Sequence, residues 1–190
     1  MIDQSLWQTA LELQEHLTAA GKSFCFIGGL VVQRWGQPRV TGDVDATILC
    51  KFGDEKKLAQ EILQRYQSRV DDAIPFAMRA RILLLQDARK NKIDLSIGGL
   101  DFEHRIVDRS SMWGVDGGGQ IRTCSAEDLV VLKAFAARDQ DWIDVKNVLI
   151  RQAAKLDRNL IREELAPLVD LKEEPEILIR LEALFREVNI

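Results

Sequence analysis

Two aspartates separated by a single residue, Asp43 and Asp45, are the side chains of this sequence best suited to chemistry. If residues 43–49 form a strand, both aspartates lie on one face, with Cα atoms about 6.6 Å apart. Carboxylates at this separation can converge on one divalent cation, or on two cations about 4 Å apart, as in sites of phosphoryl transfer. Because like charges about 4 Å apart repel by roughly 4 kcal/mol at an intermediate dielectric, the pair favours a cation site over a core position.

A pair of glycines, Gly28 and Gly29, lies between the apolar segment 23–27, typical of a buried strand, and a short apolar segment at 30–35, typical of a helix. Glycine allows backbone angles closed to other residues and lets a phosphate approach the main chain. The N-terminus of the following helix would direct unpaired N–H groups at that phosphate. Taken alone, two glycines are more typical of a tight turn. Their combination with acids on the next strand indicates a phosphate site.

A third carboxylate, Asp94, lies on another predicted strand between Ile93 and Leu95. An acid between two inward-pointing apolar residues faces the other side of its strand. It therefore either joins Asp43 and Asp45 or is simply exposed to solvent.

The order of the predicted elements indicates an α/β (α+β) fold, in which a mixed β-sheet core flanked by helices is followed by a C-terminal helical bundle. Strands are expected at 23–27, 43–49, 76–85 and 92–97, and helices at 4–20, 30–35, 54–67, 125–138, 141–154, 158–170 and 175–188. We expect 98–109 to be irregular and the glycine-rich segment 110–120 to be a mobile loop. The predicted domains are a core, 1–122, and a helical subdomain packed on it, 123–190.

The amino-acid composition excludes several functional classes of protein. The 190 residues are 46% hydrophobic and 29% charged, which is ordinary for a globular protein. The net charge of −4 excludes a general polyanion-binding surface. No apolar run approaches the ~20 residues of a membrane span, and the N-terminus does not resemble a signal peptide, so no membrane partner is expected. The three cysteines lack metal-site spacing and predict reduced thiols in a cytoplasmic protein.

The motif Gly36-x-Pro38-Arg39-x-Thr41-x-Asp43-x-Asp45, after the glycine pair, resembles the signature of the nucleotidyltransferase superfamily, which has a polymerase-β-like fold. In particular it is similar to the AbiEii-type nucleotidyltransferases, many of which are toxins of toxin–antitoxin pairs. The segment 127–145 adds to this likeness, since it is similar to the helix pair that follows the catalytic sheet in that group. The resemblance covers roughly residues 24–148 and identifies 1–122 as a nucleotidyltransferase core.

The resemblance implies a Mg²⁺-dependent enzyme that moves a nucleoside monophosphate from ATP or another NTP to a hydroxyl and releases pyrophosphate. The implied acceptor is an RNA end such as that of tRNA, a protein, or a small molecule, and a cognate antitoxin is an implied partner. Asp43 and Asp45 would hold two magnesium ions, and Asp94 would complete the site of the ion that activates the acceptor hydroxyl. The implied nucleotide-binding residues are Gly28, Gly29, Arg39, Thr41 and Lys133.

Three alternatives stay open at this point. One is a structural helical adaptor, in which residues 125–190 bind a partner and the nucleotide site is irrelevant. Gly29 stands where the superfamily more usually has a serine, which favours a catalytically silent module for binding nucleotides or proteins. Lys133, Arg138, Asp141 and Asp144 are spaced so that they could form structural ion pairs, and we expect at least Asp141 to pair with Arg138 or Lys133.

Overall fold

The computed structural model describes residues 3–114 and 118–188. Contacts group these residues into two units. The first contains the residues up to Leu30 together with Val40–Cys124, and the second contains Val31–Arg39 and the residues from Ser125 onward.

The first unit holds the strands and five helix segments. Its strands are β1 (Phe24–Ile27), β2 (Asp43–Leu49), β3 (Gln67–Ser68), β4 (Ile82–Gln86), β5 (Lys92–Gly98), β6 (Ser111–Gly114) and β7 (Gln120–Thr123). Its helices are α1 (Gln4–Ala19), the first residues of α2 (Gly28–Trp35), α3 (Glu55–Leu63), α4 (Ala73–Ala80) and α5 (Asp101–Arg109). The predicted bounds of α1, β1 and β2 are confirmed to within one residue. Helix α2 begins two residues earlier than predicted, at Gly28, and α3 ends four residues before its predicted limit.

Within the described part of the chain, the strands form one seven-stranded sheet in the order β3-β4-β5-β2-β1-β7-β6. Strand β2 pairs in parallel with β5 and antiparallel with β1. The β4–β5 and β6–β7 pairs are antiparallel, and β7 runs parallel to β1. This confirms the mixed sheet flanked by helices that the sequence predicts.

Alternation along the central strands decides which face of the sheet carries the acids. Val44, Ile93 and Leu95 are fully buried, whereas Asp43, Asp45 and Asp94 are only half-buried. Successive side chains of a strand point to opposite faces, so the apolar residues face the core and the acids share the other face. Further core side chains of this unit are Leu6, Trp7, Leu13, Leu17, Phe26, Ile48, Ile62, Leu83, Leu85 and Ile97.

The strand predicted at 76–85 is wrong in its first half. Residues Ala73–Ala80 form α4, and β4 begins only at Ile82. Between them Arg81 adopts the left-handed backbone conformation, with φ 51°, and ends the helix. The apolar residues of this segment suit either element, because short apolar runs do not distinguish a helix from a buried strand.

The irregular structure predicted at 98–109 is also wrong, because Asp101–Arg109 forms α5. The carboxylate of Glu103 accepts hydrogen bonds from the N–H groups of Gly99, at 2.7 Å, and Leu100, at 2.9 Å, and so stabilises the start of this helix. The burial of Phe102 and Ile106, four residues apart, is the helical signal that the two preceding glycines obscured.

The loop predicted at 110–120 is in large part a hairpin of β6 and β7, and its residues 115–117 lie outside the described residues. Trp113 on β6 packs edge-on against Trp7 of α1, with ring centroids 5.2 Å apart. This contact anchors the hairpin to the first helix.

The second unit is helical, as predicted for residues after 123. It contains α6 (Ala126–Ala136), α7 (Asp139–Gln152), a 3₁₀ turn at 153–155, α8 (Arg158–Lys172) and α9 (Glu176–Glu187). Ser125 caps α6 by accepting a 3.0 Å hydrogen bond from the N–H of Asp128, as its capping motif predicts. The segment 31–39 is held to α7 by Arg151, whose guanidinium donates to the carbonyl of Gly36 at 2.5 Å.

Within residues 3–114 and 118–188, no helix combines the length and the apolar character that crossing a bilayer requires.

Candidate active site

The three aspartates singled out in the sequence converge. In the parallel pairing of β2 with β5, Asp45 lies directly beside Asp94, and Asp43 lies two residues earlier on the same face. One carboxylate oxygen from each of the three residues lies within 4.8 Å of the others. The geometry that the alternation predicted is therefore present, and it places three carboxylates together on one face of the sheet, near the first residues of the neighbouring strands β2 and β5.

Asp45 lies directly against the glycine pair. The N–H of Gly29 donates to Oδ2 of Asp45 at 3.3 Å. A Cβ atom built on Gly28 would lie 2.0 Å from the same oxygen, and Gly28 has a left-handed φ of 69°. Glycine is therefore required at position 28 for two independent reasons, backbone conformation and the space taken by Asp45.

The other two acids each have a partner of their own. Thr41 donates its hydroxyl to Oδ1 of Asp43 at 3.1 Å. Arg69, just after β3, donates from Nη2 to Oδ1 of Asp94. Burial raises the pKa of the Asp94 carboxyl above its ordinary value, with Arg69 opposing the rise and the charge of Asp43 adding to it. An added cation would reverse this rise, because an opposite charge favours the ionised carboxylate.

The predicted nucleotide ligands Arg39 and Lys133 belong to the second unit, where both form ion pairs with buried aspartates. Arg39 binds Asp144 through two hydrogen bonds, from Nε at 2.8 Å and from Nη2 at 2.7 Å. The Lys133 ammonium lies 2.8 Å from Oδ1 of Asp141 and 3.0 Å from Oδ2 of Asp144. Arg138 reaches Asp141 at 2.5 Å, so the predicted pairing of Asp141 is confirmed.

Residues 7–183 match the family described as "Nucleotidyl transferase of unknown function (DUF2204)". The chain belongs to this family. A comparison with curated proteins gives no match.

Solved structures share the fold at low identity. An antigenic nucleotidyltransferase-like protein from Paracoccidioides brasiliensis is 16% identical, with a TM-score of 0.53 over 94% of this chain and 92% of that chain. The antibiotic-resistance factor ANT(2'')-Ia is 12% identical, with a TM-score of 0.57 over 92% of this chain and 97% of that chain. Together with the family match, this likeness confirms the nucleotidyltransferase fold predicted from the motif.

The family implies a divalent metal, and the three-aspartate cluster fits one. Its donors are carboxylate oxygens, the ligands that Mg²⁺ prefers, and they lie within 4.8 Å of one another. All three side chains keep some exposure, so a hydrated ion can reach them. Asp43, Asp45 and Asp94 are the residues that would hold it.

Lys133 is the centre of the charge network in the second unit, and its loss is expected to destabilise the fold. The side chains of Lys133, Asp141 and Asp144 are 8%, 2% and 1% exposed. Lys133→Met leaves two buried carboxylates with one arginine each. We expect the free energy of unfolding to fall by about 3 kcal/mol, the lower end of the range for breaking a buried pair.

Chemical denaturation monitored by circular dichroism measures this loss, and Lys146→Met is the matched control. Lys146 pairs with Glu187 at 2.5 Å, but these side chains are 42% and 55% exposed. Its substitution should change stability by less than about 1 kcal/mol. Equal effects of the two substitutions would contradict a structural role for the buried network.

The same network predicts a pH dependence. Burial alone would raise the pKa of Asp141 and of Asp144, but hydrogen bonds outweigh burial and lower both pKa values. Asp141 accepts these bonds from Arg138 and Lys133. Asp144 accepts them from Arg39 and Lys133. Folded pKa values below the unfolded value of about 3.9 mean stability that is present above about pH 4 and lost as pH falls further. The destabilisation by Lys133→Met, measured by urea unfolding, should therefore shrink between pH 7 and pH 3. A penalty independent of pH would show that charge pairing is not its cause.

Sequence reasoning missed Arg69 as a contact of the site. Arg69 reaches Asp94 because β3 pairs with β4 and β4 with β5. A two-residue strand carries too short a pattern to be recognised, so the sequence offers no signal for this contact.

Proposed function

We propose that this protein is a Mg²⁺-dependent nucleotidyltransferase that moves a nucleoside monophosphate from an NTP to a hydroxyl acceptor and releases pyrophosphate. The observation that supports the proposal most directly is the convergence of Asp43, Asp45 and Asp94 beside the glycines that begin α2. Membership of a nucleotidyl transferase family gives the chemical class.

Six residues of the first unit have a definite task in this proposal. Asp43, kept in place by the Thr41 hydroxyl, and Asp45, kept in place by the Gly29 N–H, would hold the metal. Magnesium bound there would offset charge on the transferred phosphoryl group and lower the pKa of the attacking hydroxyl. Asp94 would share the metal and receive the proton of the acceptor hydroxyl. Gly28 and Gly29, which have no side chains, would let phosphate oxygens approach the main chain at the start of the helix.

Several finer features stay predictions. These are a second magnesium ion, nucleotide binding by Arg39, Thr41 and Lys133, a cytoplasmic location, and a domain boundary at 122/123. A place in the AbiEii-type group, with a toxin role and a cognate antitoxin, is likewise a prediction. For the acceptor we favour a macromolecule, an RNA end such as that of tRNA or a protein, over a small molecule.

The test is a pyrophosphate assay on the purified protein with Mg²⁺ and each of the four NTPs, labelled at the α-phosphate. Total tRNA, a protein mixture and an aminoglycoside are offered as separate acceptors. We expect Mg²⁺-dependent pyrophosphate release together with transfer of label to one acceptor class. Absence of release with every NTP and acceptor, from folded protein, would contradict the proposal.

A second candidate function is a silent nucleotide-binding module. One observation favours it: Gly29 provides no side-chain hydroxyl for phosphate, and its N–H is bonded to Asp45. This candidate predicts that NTP binds, in equilibrium dialysis with Mg²⁺, without release of pyrophosphate. The retained cluster of three acids favours the enzyme, since a binding module has no need for three mutually repelling carboxylates.

A further inference from the structure

Arg69 contacts the candidate site but has no task in the proposed reaction. Three hydrogen bonds fix its position. Its backbone N–H donates to the carbonyl of Leu84 at 2.8 Å, its Nε donates to the carbonyl of Leu85 at 2.9 Å, and its Nη2 donates to Oδ1 of Asp94. The guanidinium is therefore tied to the main chain of β4 as well as to the carboxylate.

The strand order sets the direction from which Arg69 acts. Strand β5, which carries Asp94, lies between β4 and β2. Arg69 is anchored on the β4 side, whereas Asp43 and Asp45 stand on β2. The Asp94 side chain is thus bracketed by a cation on one side and by two acids on the other.

This arrangement restricts how Asp94 can serve as a ligand. Because Oδ1 is engaged by Arg69, Oδ2 is the oxygen that the ion pair leaves for a metal. Without Arg69, the carboxylate could bind an ion through both oxygens or turn away from Asp43, which repels it. A side chain fixed in one orientation before the substrate arrives avoids this loss of alignment.

We propose that Arg69 is a positioning residue, which holds Asp94 as a one-oxygen metal ligand aligned for the transfer reaction. The inference rests on the proposed function for its effect on turnover, but its effect on metal binding is independent of turnover. Arg69 acts through Asp94 and needs no contact with the nucleotide. The planar guanidinium suits the task because it can donate to Leu85 and Asp94 at once, whereas a lysine offers a point charge.

The experiment compares Arg69→Met and Arg69→Lys with the wild type by two readouts. One is the affinity of the nucleotide-free protein for Mn²⁺, measured by the electron paramagnetic resonance signal of free Mn²⁺. The other is kcat and KM for the NTP. Arg79→Met, which removes an exposed arginine of α4, is the matched control and should behave as the wild type in both.

For Arg69→Met we expect Mn²⁺ to bind about threefold more tightly, because a cation that repels the metal has been removed. We expect kcat to fall about 100-fold with KM for the NTP little changed, because Asp94 is no longer held in the productive orientation. Arg69→Lys keeps the charge but lacks the planar guanidinium that donates to Leu85 and Asp94 at once. Its Mn²⁺ affinity should therefore match the wild type, while kcat falls about tenfold.

Other results would overturn the inference. A kcat for Arg69→Met within threefold of the wild type, or equal or weaker Mn²⁺ binding, overturns the inference. If Arg69→Met does not fold, Arg69→Lys is the variant that tests the inference, and full activity of Arg69→Lys overturns the inference. If the wild type itself shows no turnover, the proposed function fails, while tighter Mn²⁺ binding by Arg69→Met would still assign Arg69 to Asp94.

Discussion

Replacing Asp45 by asparagine is expected to lower NTP turnover by about 1,000-fold, because it removes a charged ligand from the centre of the site. Asp45 lies beside Asp94 across the β2–β5 pair and accepts from the Gly29 N–H. Asparagine keeps the shape of the side chain but not its charge, so the metal loses an anionic oxygen while the packing is preserved. The measurement is pyrophosphate release under saturating Mg²⁺ and NTP.

The same substitution should leave the metal-free fold as stable as the wild type or slightly more stable. Three carboxylates within 4.8 Å repel one another, and removing one relieves that repulsion. Asp108→Asn is the matched control, since Asp108 is an exposed residue of α5 and its loss should affect neither property. Full turnover in Asp45→Asn, or loss of activity only through unfolding, would contradict the role of the three-aspartate cluster.

Gly28→Ala is the second substitution with a large expected effect. The added Cβ would lie 2.0 Å from Oδ2 and 2.5 Å from Cγ of Asp45, so the carboxylate or the start of α2 has to move. Because misplacement by about 1 Å can lower a rate about 100-fold, we expect a loss of turnover of this size. We also expect a loss of stability, which the same variant reports by thermal and urea unfolding.

Gly21→Ala separates the two causes of this effect. Gly21 has φ 65°, close to the 69° of Gly28, but a Cβ atom added to Gly21 would meet nothing within 4 Å. It should therefore show only the strain of the left-handed conformation, about 1–2 kcal/mol, with unchanged turnover. Gly28→Ala should lose about 1–3 kcal/mol of stability beyond the loss in Gly21→Ala, which is the usual range for overpacking. Equal behaviour of the two variants would mean that Asp45 does not need the space at Gly28.

Some elements of the fold were predictable because the local preferences of their residues favour the structure that forms. Helix α1 has helical apolar spacing and ends just before Gly21, and β2 alternates acids with buried apolar residues. Among the C-terminal helices, α6 and α8 begin at capping residues, Ser125 and Asp157. The segments that were predicted wrongly, now α4 and α5, carry short apolar runs or adjacent glycines. In such segments local preference is weak, and packing against neighbouring elements selects the structure.

In the candidate site, too, the sequence was sufficient to place some residues, whereas others required the tertiary structure. Asp43 and Asp45 share a face by strand geometry alone, so the sequence was sufficient for them. Asp94 needed the additional fact that β5 is the parallel neighbour of β2, with Asp94 in register with Asp45. The ion pairs of Arg39 with Asp144 and of Lys133 with Asp141 and Asp144 join residues that are distant in sequence or lie on different helices. Spacing predicted that Asp141 would pair with Arg138 or Lys133, but not that Asp144 would bind Arg39 and Lys133.

The sequence by itself pointed to the nucleotidyltransferase family, through the resemblance of the glycine pair, the two alternating acids and the motif around them, and the family match bears this out. Residue type alone also supplied the backbone freedom and the charge of the candidate site. The tertiary structure alone decided that Asp45 lies against Gly28, that Arg69 holds Asp94, and that Lys133 lies between two buried aspartates. The physical reason is that strand order and register are set by burial of the whole apolar face. No single segment of the chain encodes which side chains that burial brings into contact.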